Sequence, residues 1–130
     1  MPITDTKLKE IVSSFQQLAT ENFDNAKNTE QQNAVADALT LALKDFTRQF
    51  RLESGQDCPP GWTACPDGSC VPDGSGCEEG FDFLTARSFI ERAASNYFSE
   101  SQSQELQDRV GKLLQEAQES FAANVKAVSN

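Results

Sequence analysis

Helix-breaking residues are confined almost entirely to one stretch of this 130-residue chain. Four of the five prolines, six of the seven glycines and all four cysteines lie between Gly55 and Gly80. Between Ile3 and Ser54 there is neither Gly nor Pro, and after Phe81 only Gly111 remains. In a helix interior Gly costs about 1 kcal/mol and Pro about 3 relative to Ala. Two long segments without them, rich in Ala, Leu, Gln, Glu and Lys, therefore read as helical on both sides of a loop that is not.

The apolar spacing agrees. Leu8, Ile11, Val12, Phe15, Leu18, Phe23 and Ala26 recur at three–four intervals, as do Val35, Leu39, Leu43, Phe46 and Phe50. So do Phe83, Ala86, Ile90, Ala93, Ala94 and Tyr97, and then Leu106, Val110, Leu113, Ala117, Phe121 and Val128. Such spacing places one apolar stripe on each helix. Residues 27–33 and 99–105 hold no apolar side chain, and both contain capping-box patterns: Thr29-x-x-Gln32, Ser99-x-x-Gln102 and Ser101-x-x-Gln104. There a hydroxyl and a carboxamide satisfy free N–H groups reciprocally. Asp5 and Asp82 are candidate caps for the other two starts, and Gly55 is a left-handed stop.

The reading is four helices, near 5–26, 30–54, 82–98 and 102–128. They form an all-α antiparallel bundle of two helical hairpins, 1–54 and 82–130, in a single domain, with a long disulfide-stapled loop at 55–81 joining helices 2 and 3. The alternative is two helices of about 50 residues each, forming one long hairpin with the cysteine loop at its tip.

Charge narrows the function. There are 20 acidic and 11 basic residues, a net charge of −9 with no histidine. Seven carboxylates (Glu53, Asp57, Asp67, Asp73, Glu78, Glu79 and Asp82) fall between Glu53 and Asp82 with no Lys or Arg among them. An acidic chain repels phosphate backbones, so nucleic-acid binding is not expected. No run approaches 18 apolar residues and the N-terminus shows no apolar leader, so neither a membrane span nor a signal peptide is expected.

The cysteines, Cys58, Cys65, Cys70 and Cys77, follow C-x6-C-x4-C-x6-C. Structural zinc sites use chelating pairs two to four residues apart, often with His, and this spacing supplies at most one. A calcium loop begun at Asp67 fails, because Ser69 and Val71 occupy ligand positions and Pro72 replaces the required Gly. No metal or cofactor is expected. Disulfides suit the segment best, because it has little to bury beyond Trp62, Ala64 and Val71. The spacing is symmetric about Pro66-Asp67-Gly68-Ser69, and a hairpin turning there sets Cys65 opposite Cys70 and Cys58 opposite Cys77. Nested bridges Cys58–Cys77 and Cys65–Cys70 are favoured. Interleaved Cys58–Cys70 and Cys65–Cys77 is the next pairing, since four cysteines allow three.

Without histidine there is no imidazole acid–base, no nucleophilic triad and no Glu-x-x-His di-iron motif. No activity as an enzyme is expected. The leading expectation is a structural or assembly protein, whose helices make contacts between like subunits while the acidic loop projects outward. The rival is a secreted or surface binding module whose loop meets a protein receptor through Trp62, Asp67 and Asp73. Disulfides imply an oxidising setting: extracellular, at a surface, or in a virion or other assembly. "NAKNTEQQNA", residues 25–34, resembles the Asn-Ala-x-Asn-x-x-Gln-Gln segment of the small helical proteins that polymerise into bacterial R-bodies. That resemblance implies helical, self-assembling subunits, spans ten residues, and has no counterpart to the cysteine loop.

Overall fold

The computed structural model describes residues 2–78 and 80–129, with side chains through Lys126. Glu79 of the acidic set and the Val128 side chain of the last stripe lie outside that description. Four α-helices form: α1 (Asp5–Asp24), α2 (Thr29–Ser54), α3 (Phe83–Glu100) and α4 (Gln104–Ser129). Both breaks fall where the apolar stripes lapse, so the chain folds as four helices rather than two. The architecture is not purely helical, because β1 (Trp62–Ala64) and β2 (Cys70–Pro72) pair antiparallel between α2 and α3.

The caps sit close to their expected places. Asp82 Oδ1 accepts the Thr85 N–H at 2.7 Å, and Gly55 ends α2 at φ 70°. The start of α2 is one residue earlier than the Thr29 box: Asn28 accepts the Gln31 N–H, and the Gln31 carboxamide accepts the Lys27 N–H. Thr4 caps α1 in place of Asp5. Ser103, not Ser99 or Ser101, accepts the Leu106 N–H at the start of α4.

The helices share one core. Phe15, Leu39, Leu43, Phe46, Phe89, Ile90, Tyr97, Leu114 and Phe121 are its largest fully buried side chains. Contacts along the helices fix their directions. The Ile3 N–H reaches Asp108 at 2.7 Å, Gln118 reaches Ser14 at 3.1 Å, and Phe15 meets Phe121, so α1 and α4 run parallel. Phe23 stacks on Phe83 at 4.2 Å while Gln16 reaches the Arg87 carbonyl, so α1 and α3 are antiparallel. Glu53 pairs with Arg109 near the end of α2 and the beginning of α4, which sets those two antiparallel. The order is therefore up, down, down, up: α2 and α3 are parallel neighbours.

That order explains the long connection. Short turns join antiparallel helices, but a chain leaving α2 must travel back to α2's own beginning before it can start α3. The 26 residues of α2 span roughly 39 Å at 1.5 Å each. About 12 extended residues would cover that distance, and residues 55–82 have more than enough. The surplus is folded into the stapled hairpin. The loop is thus a lengthwise strap, not the projecting tip that the sequence suggests.

Candidate binding surface on the disulfide-stapled strap

The strap is built from three turns. Pro59–Trp62 closes through the Trp62 N–H to the Pro59 carbonyl at 3.1 Å, and Pro72–Ser75 closes through the Ser75 N–H to the Pro72 carbonyl at 3.0 Å. Gly61 (φ 87°) and Gly74 (φ 90°) take the third position of each, as type II turns require. Between them the hairpin turns at Cys65–Gly68, where the Gly68 N–H reaches the Cys65 carbonyl and the Cys65 N–H reaches the Ser69 carbonyl. Gly68 (φ 91°) is the extra, left-handed residue of a three-residue hairpin loop. Trp62 lies opposite Pro72, on a non-hydrogen-bonded rung between bonded ones, so the proline forfeits no ladder bond.

The extra residue decides the disulfides. It slips the register by one from the symmetric hairpin, so Cys70 faces Ala64 instead of Cys65. The bridges are Cys58–Cys70 and Cys65–Cys77, interleaved and each separated by 12 residues. The favoured nested pairing, Cys58–Cys77 with Cys65–Cys70, is thereby corrected. Each bridge contributes on the order of 3 kcal/mol by restricting the unfolded chain.

One edge of α2 holds the strap down. Thr47 Oγ1 accepts the Cys70 N–H at 3.0 Å while donating to the Lys44 carbonyl. Thr40 Oγ1 accepts the Phe81 N–H at 3.2 Å while donating to the Ala36 carbonyl. Lys44 donates to the Cys77 carbonyl, and Arg51 to the Gly68 carbonyl at 3.0 Å. Positions 40, 44, 47 and 51 lie on one helical stripe, so the strap runs antiparallel to α2 from Gly68 to Phe81. Each such bond adds about 0.5–1.5 kcal/mol net, less than a bridge. The stripe escaped the sequence reading. Its signal is Thr-x3-Lys-x2-Thr-x3-Arg at helical spacing beside the apolar stripe.

On the other side the strap packs against α3. Trp62, expected as a partner contact, is only 7 % exposed. Its ring meets Phe89 edge-on at 5.1 Å and Tyr97 at 5.6 Å, and Arg92 lies over it at 5.9 Å. Val71 and Phe81 are buried with it. Burial pushes the Tyr97 hydroxyl above its ordinary pKa range, against a smaller opposing effect of Arg51. Trp62 is therefore a core residue and is withdrawn as a contact for partners.

The acids remain outside. Asp57, Asp67, Asp73 and Glu78 are all exposed. Asp67 accepts the Ser69 hydroxyl at 2.6 Å and the Ser69 N–H at 2.9 Å, and these bonds, with Arg48 and Lys44 nearby, hold its carboxyl below the usual range. Asp73 accepts the Thr63 hydroxyl at 2.6 Å, tying the second turn to β1. Leu52 and Leu84, each 73 % exposed, flank the strap. Leu52 lines a hollow with Arg51, Asp57, Asp67 and Gly68, and Leu84 lines another with Pro72, Ser75 and Arg92. All four cysteines are oxidised, and among the described residues no cluster of three His, Cys, Asp or Glu groups is placed to hold a metal ion.

These elements define a four-helix bundle with an up-down-down-up order, strapped by a two-disulfide hairpin. No family model matches the chain, and no curated protein or solved structure matches it. No described helix is long and apolar enough to cross a membrane.

Proposed function

We propose that the protein is a non-enzymatic binding module of an oxidising, extracellular setting, and that the outer face of the strap meets a protein partner. One observation carries this reading: a covalently fixed surface holds four exposed acids, Asp57, Asp67, Asp73 and Glu78, between the exposed side chains of Leu52 and Leu84. Rigid display lowers the ordering cost of association. Apolar anchors beside exposed carboxylates fit a partner with a hydrophobic patch and a basic rim. The two disulfides suit such a setting.

Assembly of like subunits has less to support it. The apolar stripes that motivated it are spent inside one chain, and single exposed leucines are ordinary on a surface. A monomer at micromolar concentration is the expected result of sedimentation, and a ring or filament would restore the assembly reading.

The test compares the wild type with Leu52→Gln/Leu84→Gln and with Asp57→Asn/Asp67→Asn/Asp73→Asn/Glu78→Gln. Each is immobilised against extracellular proteins of its native setting, and retained proteins are identified by mass spectrometry. A basic protein retained by the wild type and lost from both variants, with far-ultraviolet dichroism unchanged, is expected. Equal retention by all three forms contradicts the proposal.

A further inference from the structure

We propose that the strap is a redox-operated cover: reducing both bridges with a dithiol frees it from α2 and α3 while the four helices stay folded. The helices hold one another through contacts that use no strap residue, among them Phe15–Phe121, Phe23–Phe83 and Phe46–Tyr97. The strap, by contrast, has three-residue strands, and an isolated two-stranded hairpin is marginal in water. Its remaining hold on the helices is the burial of Trp62, Val71 and Phe81, four side-chain-to-backbone bonds from α2, the part-exposed Arg48–Asp67 ion pair and Arg92 over the Trp62 ring.

Each bridge has one open side. Cys58 and Cys77 are half-buried, whereas their partners Cys70 and Cys65 are buried. A thiolate of the dithiol attacks the Cys58 sulfur, the Cys58–Cys70 bond breaks, and Cys70 leaves as a thiolate that takes up a proton. The second thiol of the reagent then attacks its own sulfur in the mixed disulfide, releasing Cys58 as a thiol and closing the reagent into a disulfide. Two electrons pass to the protein for each bridge, and Cys77 with Cys65 follows the same course. Once the strap lifts, Phe89 and Tyr97 lose their cover and Trp62 enters water.

Trp62 is the only tryptophan, so it reports this event alone. Full-length protein is treated with dithiothreitol at neutral pH and blocked with iodoacetamide. Four alkyl groups by mass, a red shift of Trp62 emission, a several-fold rise in its quenching by acrylamide, and unchanged helical dichroism are the expected results. The variant Cys58→Ser/Cys65→Ser/Cys70→Ser/Cys77→Ser, which carries no alkyl adducts, should show the same emission and the same helicity. Emission that stays blue in the fully alkylated protein or in the variant overturns the proposal. So does loss of helix in the same step, because the bridges would then hold the whole fold.

Discussion

Trp62 illustrates how a residue's role depends on what lies across from it. In the sequence it is an isolated aromatic among turn residues, better suited to a mini-core packed on a disulfide than to an exposed platform, though both readings stay open. Phe89 and Tyr97, 27 and 35 positions away on α3, decide for the core. Trp62→Ala should therefore destabilise the fold by about 3–5 kcal/mol in urea unfolding, and a change below about 1 kcal/mol would be inconsistent with that burial. Gly111, the lone breaker in the second half, has an equally local cause. A Cβ there would collide with Ile3 Cδ1 and touch Ile11 Cδ1, where the chain entering α1 crosses α4. Ile3 Cδ1 is the far end of a flexible side chain that can turn aside, and Ala is about 1 kcal/mol better than Gly in a helix interior. Gly111→Ala should therefore leave stability within about 1 kcal/mol of the wild type in urea unfolding. Adding Ile3→Val, which removes the colliding carbon, should shift the balance towards the gain in helix propensity.

Among the elements, helix existence was legible because an apolar period and a lack of breakers are local properties. Helix starts were legible only to within a few residues. At α2 the Asn28–Gln31 arrangement prevails over Thr29–Gln32, in keeping with the stronger preference for Asn as a cap. The strap's attachment was not legible. Thr40 and Thr47 are buried on α2, yet the N–H groups they accept lie 41 and 23 residues away. Thr47→Val keeps the shape and removes the acceptor, leaving the buried Cys70 N–H unpaired. A loss of about 1–3 kcal/mol is expected, read from denaturant midpoints at unchanged slope.

Carboxylates at element ends set the acid response. Hydrogen bonds from Thr85 to Asp82, and from the Ile3 N–H and Gln104 to Asp108, lower both pKa values, as Ser69 lowers that of Asp67. Carboxyls depressed in the folded state stabilise it fully above their unfolded value of about 3.9, and that stabilisation is lost as pH falls through the folded values. Stability should thus be level from neutral pH down to the carboxylate range and fall below it. Asp82→Asn preserves a competent cap without a titrating group, so its acid limb should be shallower than that of the wild type. An identical limb would remove Asp82 from the account.

At the scale of the molecule, one topological fact organises the rest. A segment of this length could equally leave and return at one end of a hairpin or run back along the bundle, and composition does not distinguish the two. The parallel course of α2 and α3 does. It requires a return path, the return path lays Trp62 and Phe81 over Phe89 and Tyr97, and the bridges and the α2 stripe keep it there. The interleaved pairing shows the same limit at smaller scale, since one left-handed glycine shifts the register that a symmetric spacing implies.

Native-state hydrogen exchange at the Cys70 and Phe81 amides tests the strap most directly, because Thr47 and Thr40 bind those two groups only if it lies along α2. Protection close to that of core amides in α2 is the predicted result. Exchange of both at the rate of a solvated loop, in oxidised protein with its helices protected, would contradict it.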